Sequence, residues 1–201
     1  MYIDLSVVID EHTPVYPGDP ATVIKPAGKL EADGYNDHFV SIGTHVGTHI
    51  DAPYHMIADG QTLDQFPVDQ FVGRGRLIKL DNKEYDLQQL QKTDIREGDI
   101  VLFYSGMDNL YKEKAYFEDY PAMSDEVANY LVAKKVKMVG IDMCSPDHDE
   151  FTAHRTLLGS GVLIIENLTN LSALEGKVFE VIALPIKLPI DGAPARVIAK
   201  I

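Results

Sequence analysis

The chain has little of several features that would commit it to particular surroundings. It has one cysteine, Cys144, among 201 residues, so no disulfide can form within the chain, which suits a reducing compartment. It has no tryptophan, and no apolar run approaches the ~20 residues that a membrane-spanning helix needs. Its first residues lack the basic and apolar segments of a secretory signal. We therefore expect a cytoplasmic protein without a membrane partner.

Positive charge is also scarce. The sequence has 18 Lys and Arg against 31 Asp and Glu, which gives a formal net charge of −13. Binding a nucleic-acid backbone demands lysine and arginine, so this balance argues against a nucleic-acid partner. It is compatible with a bound cation, because clustered carboxylates need a counter-ion.

The segment 45–55 combines three histidines, His45, His49 and His55, with Asp51. These residue types are the usual ligands of borderline first-row metals such as zinc. On a helix, His45 and His49 would share a face, but Asp51 would point away from it. On a strand, alternate residues share a face, so His45, His49 and Asp51 would point the same way. The β-branched residues between them favour the strand, and the spacing predicts a metal site on one of its faces.

Neighbouring residues add further expectations about this strand. Gly47 lies between the two histidines and would leave room for an ion, while Val46 and Ile50 would face a core. Pro53 lacks an amide hydrogen and should end the strand, which places His55 beyond it, near the site but free of the strand geometry. The alternative is that these are ordinary histidines of a polar strand.

A second group of candidate ligands follows later in the chain. Glu166 ends the apolar run 162–165, and a carboxylate at the end of a buried strand commonly points into a functional crevice. His154 belongs to a short helix predicted at 152–158, and a tight turn after it could bring both residues to one end of the sheet. The alternative is a solvated strand end and a surface helix residue. Added to the first group, the two residues would supply enough ligands for two metals bridged by carboxylates.

The order of the predicted elements indicates an α/β or α+β fold with a mixed sheet. At 201 residues the chain suits one domain, 1–201, with a sizeable core. Helices are predicted near 87–91, 124–136 and 152–158. Strands are predicted at 3–9, within 37–51, and at 76–80, 99–104, 137–141, 161–165, 178–184 and 196–199. The segment 12–20 is dense in Pro, Gly and Asp, so we expect a loop that could cover a site.

The segment 45–55 resembles the His-x-Gly-Thr-His-x-Asp-x-Pro-x-His motif of the metal-dependent cyclase family, which includes bacterial kynurenine formamidases (arylformamidases) and isatin hydrolases. The resemblance extends over most of the chain. Segments 4–6 and 14–19 match the family's N-terminal pattern, 154–167 matches its second metal segment, and 184–196 matches its ending. The resemblance implies a swivelling β/β/α fold and a homo-oligomeric enzyme, here a homodimer or homotetramer.

The resemblance also implies roles for individual residues. The implied metal ligands are His45, His49, Asp51, His154 and Glu166, with the two carboxylates bridging two ions. His55 would be the catalytic proton donor and acceptor, and the alternative role for it is a third histidine ligand of a single zinc ion. Tyr16 matches the tryptophan that stacks on the aromatic substrate in the family's formamidases.

The implied activity is hydrolysis of an amide by a metal-activated water. The expected substrate is N-formylkynurenine, an intermediate of tryptophan catabolism, and the products would be kynurenine and formate. The expected cofactor is two Zn²⁺ per subunit, with Mn²⁺ as the alternative because bridging carboxylates also suit it. Two other functions stay open: hydrolysis of a cyclic amide such as isatin, and a non-catalytic metal- or ligand-binding domain.

Overall fold

The computed structural model describes residues 1–148 and 150–201. The strands in these residues are β1 Tyr2–Asp4, β2 Val23–Gly28, β3 Asp37–Ser41, β4 His49–Asp51, β5 Val72–Lys79, β6 Ile100–Tyr104, β7 Met138–Ile141, β8 Leu163–Glu166, β9 Glu180–Pro185 and β10 Gly192–Lys200. The α-helices are α1 Leu30–Asp33, α2 Leu87–Lys92, α3 Asp125–Ala133 and α4 Thr152–Gly159. No helix in the described part of the chain is long and apolar enough to cross a membrane.

The main sheet closes on itself. Its strand order is β1-β10-β4-β8-β7-β6-β5-β9, and because β9 also pairs with β10, seven of the described strands form a ring with β1 attached to β10. Strands β5 to β8 are parallel neighbours, and the other pairings are antiparallel. Parallel neighbours need crossover connections, which contain α2, α3 and α4 in turn. The predicted α/β class with a mixed sheet is confirmed.

The core lies on both faces of the parallel strands. Along β6, Val101 and Phe103 belong to a cluster that includes Leu131 of α3 and Leu157 of α4. The alternate residues of β6 belong to a second cluster, which draws on strands all around the ring. Because β6 is covered on both faces, its residues 100–103 are all apolar and fully buried.

The segment that precedes the candidate metal strand departs from the prediction. We expected strands through 37–51, but β3 pairs only with β2, in a separate two-stranded sheet whose β3 residues are all exposed. After β3 the chain runs through turns and bends until β4 begins at His49. The strand that carries candidate ligands is therefore only three residues long.

Candidate metal centre and active site

Strand β4 and the turn before it position the first group of candidate residues. His49 and Asp51 lie on β4, are each 1% exposed, and share one face as predicted. His45 lies in the irregular segment before the strand, so the predicted strand face is wrong for this residue. It reaches Asp51 because the chain turns at Gly47 rather than because of strand alternation.

Gly47 serves the turn rather than the ion. Its φ of +60° lies in the left-handed region that favours glycine. A Cβ at this position would lie 2.7 Å from Cγ1 of Ile9, so Ile9 would have to shift to admit one. The expectation that Gly47 leaves room for a metal is therefore wrong, because the space is filled by Ile9.

The second group reaches the same place through the sheet and the last crossover. Strand β8 pairs with β4 in a register that sets Glu166 opposite His49. Helix α4, which leads into β8, carries His154. Glu166 is 5% exposed and His154 is 3% exposed, so the alternative of a solvated strand end and a surface helix residue is wrong. The structure brings all five candidate ligands together.

Asp51 lies at the centre of these five residues. Its Oδ1 lies 2.7 Å from His45 Nδ1 and 3.2 Å from His49 Nε2, while its Oδ2 lies 3.9 Å from His154 Nε2. Glu166 places Oε1 3.4 Å from His154 Nε2 and Oε2 3.4 Å from His49 Nε2. Two groups with metal-ligand spacing result, and they share Asp51. One group is His45, His49 and Asp51, and the other is Asp51, His154 and Glu166.

Three buried atoms of this cluster test whether the residues fit a cation. His49 Nε2, Asp51 Oδ2 and Glu166 Oε1 are buried and make no hydrogen bond. Leaving a buried polar atom without a partner costs about 1–3 kcal/mol, more if it is charged. All three atoms face the cluster, and imidazole nitrogens and carboxylate oxygens are ligands of zinc and manganese. The donor set therefore fits a divalent metal.

The carboxylates of the cluster stabilise positive charge at this site. Burial opposes protonation of His45, but Asp51 and Asp191 outweigh it and raise its pKa to about 9. Burial likewise opposes protonation of His154, but its hydrogen bond with Asp147 contributes to raising its pKa to about 10. Burial would raise the pKa of Asp51, but the nearby imidazoles hold it well below its usual range. A cation bound at this site would meet the ionised carboxylate of Asp51.

Two of the candidate histidine ligands are oriented through their outer nitrogen. His49 Nδ1 lies 2.8 Å from the Gly47 carbonyl oxygen, to which it can donate. His154 Nδ1 lies 2.6 Å from Asp147 Oδ1, and the backbone N–H of His154 donates to Asp147 Oδ2 at 3.0 Å. Such partners fix which nitrogen faces a metal, here Nε2 in both residues.

Sequence reasoning did not assign two carboxylates of this site, Asp147 and Asp191. Asp147 could have been found as an acidic residue shortly before the helix that carries His154. Asp191 offered no comparable signal, because it is distant in sequence from every candidate ligand in the first group. Only the pairing of β10 with β4 brings it to His45.

His55 lies beside the candidate ligands without joining either group. It ends a 3₁₀ turn that begins at Pro53, and β4 stops before this proline as predicted. Its ring centroid lies 4.0 Å from that of His45 and 5.9 Å from that of His154. The ligand-like group that it does form is with His45 and Asp191. Burial lowers the pKa of His55, which favours the neutral imidazole that can accept a proton.

A cavity of about 200 Å³ opens beside these residues. One part of its lining is polar and contains His45, His55, His154 and Glu166. Another part is apolar and largely aromatic, with contributions from Pro14, Tyr16, Met56, Phe117 and Phe151. Tyr16 packs edge-on against Phe117 at a centroid distance of 6.3 Å, so the segment 12–20 does contribute to the cavity. The geometry can hold an apolar, ring-bearing molecule against the candidate metal ligands.

Comparison with known proteins identifies the family. The Cyclase family model matches residues 3–148. This chain belongs to the cyclase family. A kynurenine formamidase of Geobacillus thermodenitrificans is 33% identical over 97% of this chain and 95% of its own length. The resemblance predicted from the motifs is confirmed.

Two solved structures share the fold of this chain. A protein described as a potential metal-dependent hydrolase with cyclase activity superposes with a TM-score of 0.81 at 30% identity, covering 99% of this chain and 96% of that one. Isatin hydrolase A from Labrenzia aggregata gives a TM-score of 0.89 at 23% identity, covering 99% and 93%. The likeness to isatin hydrolase A concerns the fold alone.

Proposed function

We propose that this cyclase-family protein is a metal-dependent amide hydrolase that converts N-formylkynurenine to kynurenine and formate. The observation that carries the proposal is the pair of ligand groups sharing buried Asp51, with His55 beside them in an aromatic cavity. The 33% identity to a kynurenine formamidase over nearly the whole chain supports the formyl substrate. The likeness to isatin hydrolase A supports the cyclic-amide alternative by fold only.

The proposed cofactor is two divalent ions per subunit, with Zn²⁺ favoured and Mn²⁺ as the alternative. His45, His49 and Asp51 would hold one ion, and Asp51, His154 and Glu166 the other. Divalent ions in such a centre lower the pKa of water to about 7 and polarise a carbonyl oxygen. The shared carboxylate supports two adjacent positions, because each of its oxygens faces a different group.

His55 is proposed to move the proton during hydrolysis. Water attacks the formyl carbon, the C–N bond breaks, and the proton lost by water must reach the leaving nitrogen. His55 lines the cavity, and burial lowers its pKa and so favours the neutral imidazole, which can take that proton and return it. A non-catalytic binding domain would have no need of this histidine beside the ligand groups.

The aromatic part of the cavity lining is proposed to hold the substrate ring. Tyr16 lines the cavity and is 38% exposed, and Phe117 and Phe151 lie with it in the lining. Tyr16 would stack on the ring as the corresponding tryptophan does in the family's formamidases. Stacked or edge-to-face rings contribute about 0.5–1.5 kcal/mol beyond their buried area, enough to orient an aryl amide.

Hydrolysis of N-formylkynurenine tests the proposal directly. Protein stripped with EDTA and then supplied with Zn²⁺ or Mn²⁺ should recover turnover, followed as kynurenine absorbance, by at least about a hundredfold over the stripped protein. The metal that restores the higher kcat/KM identifies the preferred ion. Isatin serves as the parallel substrate: preference for isatin would replace the formamidase proposal, and no turnover of either by fully loaded protein would contradict amide hydrolysis of this kind.

We also propose that the protein is a homodimer or homotetramer. The β2–β3 hairpin stands apart from the main sheet, and it exposes Leu30, Tyr35, Phe39 and Val40, each at least 50% accessible. We take these exposed apolar side chains, on an element outside the main sheet, as support for a surface that another copy covers. Sedimentation at micromolar concentration should give two or four copies per particle, and Phe39→Ser should shift it towards monomer. A monomeric wild-type protein would contradict the proposal.

Two broader features complete the proposal. Residues 1–201 are proposed to form one domain, supported by the pairing of β1 with β10, which joins the two ends of the sequence in one sheet.

The enzyme is proposed to act in the cytoplasm, supported by a single buried cysteine that needs no oxidising compartment.

A further inference from the structure

Asp191 is held beside the candidate metal centre by its backbone. It lies one residue before β10, and Gly192 pairs with Asp51 across the β10–β4 ladder. The carbonyl oxygen of Asp191 accepts a hydrogen bond from Ala52 N–H at 2.8 Å. The backbone on which this carboxylate sits is therefore tied to the strand that carries the central candidate ligand.

The carboxylate of Asp191 is directed at His45. Its Oδ2 lies 2.7 Å from His45 Nε2 and also accepts a hydrogen bond from Thr44 Oγ1 at 3.2 Å. The other nitrogen of the same imidazole, Nδ1, lies 2.7 Å from Asp51 Oδ1. His45 therefore lies between two carboxylates: Asp51, which is a candidate metal ligand, and Asp191, which is not among the five candidate ligands.

The ring of His45 has little freedom in this position. A Cβ on Gly192 would lie 3.0 Å from His45 Cε1, so the ring rests against the backbone where β10 begins. On another side it packs against the ring of His55, with centroids 4.0 Å apart. A change in the orientation of His45 would therefore also disturb His55.

A histidine that binds a metal through one nitrogen needs a partner for the proton on the other. In this site His154 has Asp147, and His49 has the Gly47 carbonyl oxygen. We propose that Asp191 is the corresponding positioning residue for His45: it accepts the Nε2–H and holds Nδ1 towards the metal. This inference rests on the metal centre described under the proposed function.

Metal affinity tests the role of Asp191 without relying on turnover. Asp191→Ala should raise the Kd for Zn²⁺, measured by competition with a chelating dye, by about 10–100-fold, the usual effect of losing such a partner. It should also change the visible absorption spectrum of the Co²⁺-loaded protein, because His45 would then bind in an altered orientation. Asp191→Asn keeps an oxygen that can accept the Nε2–H, so most of the affinity and the wild-type spectrum should return.

Two further variants sharpen the experiment. Asp59→Asn removes one negative charge from an exposed position near His55 in sequence, and the Kd should stay at the wild-type value. Thr44→Val removes only the hydroxyl that donates to Asp191, and the Kd should rise several-fold. This milder change keeps the inference testable if Asp191→Ala fails to fold.

The outcomes separate this inference from the proposed function. If wild-type protein binds Zn²⁺ and Asp191→Ala binds it equally well with an unchanged Co²⁺ spectrum, the positioning role is wrong. A lowered Tm of the metal-free variant with an unchanged Kd would show a purely structural role and would also overturn it. If the wild-type protein itself binds neither ion, the proposed metal centre fails, and the inference fails with it.

Discussion

Asp51→Asn should abolish binding at both proposed metal positions and remove nearly all hydrolysis. The two oxygens of Asp51 face different ligand groups, so one substitution weakens both positions. Asparagine has nearly the same shape but offers one neutral oxygen, and it no longer balances the surrounding imidazoles. Losing the charge stabilisation that a metal gives the transition state costs several kcal/mol, which corresponds to at least about a thousandfold in kcat/KM.

Metal content and activity should be measured together for this variant. Elemental analysis after loading and desalting should find Asp51→Asn nearly empty, while the surface variant Asp59→Asn keeps the wild-type content and rate. The metal-free forms should have similar near-ultraviolet circular dichroism, which controls for folding. A variant that retains one ion per subunit and a tenth of the rate would contradict the shared role of Asp51.

His55→Ala should differ from Asp51→Asn in one respect: it should keep its full metal content while turnover becomes very low. His55 lies outside both ligand groups that contain Asp51, so its loss removes no donor atom from them. General acid–base catalysis contributes about 10²–10⁴-fold, and kcat should fall by that factor. The control is His12→Ala, which removes an exposed histidine that does not line the cavity.

The result for His55→Ala also decides between the two roles considered for this residue. Loss of metal together with activity would make His55 a ligand, in the group that it forms with His45 and Asp191. Retention of both metal and activity would mean that another group transfers the proton. Dialysis against a chelator of known affinity, followed by elemental analysis and an N-formylkynurenine assay, distinguishes the three results.

Local sequence rules predicted the part of the site that depends on local geometry. His49 and Asp51 share a strand face because strand alternation holds over the three residues of β4. The same rule was wrong for His45, because the left-handed backbone at Gly47 interrupts the alternation. Glu166 was found because a carboxylate ending a buried strand follows a rule of sheet architecture that applies here.

The remaining features depend on contacts between distant parts of the chain. No periodicity in the sequence says that β8 will lie next to β4, or that the segment before β10 will carry Asp191 to His45. The β2–β3 hairpin illustrates a different limit. Phe39 and Val40 read as residues of a sheet strand, yet their side chains face solvent in this chain. Hydrophobicity alone does not distinguish a residue that packs in the core from one that stays exposed.

The way β10 closes the ring has a consequence for the order of events on the ribosome. Strand β4 is synthesised long before β10, and until β10 emerges, the β4 edge that it will cover has no partner. Pairings between such distant segments form slowly, because a long loop must close before any contact is gained. The nascent chain therefore carries His49 and Asp51 on a strand edge that is still unpaired, and the complete set of candidate ligands and their partner Asp191 comes together only after β10 has been made.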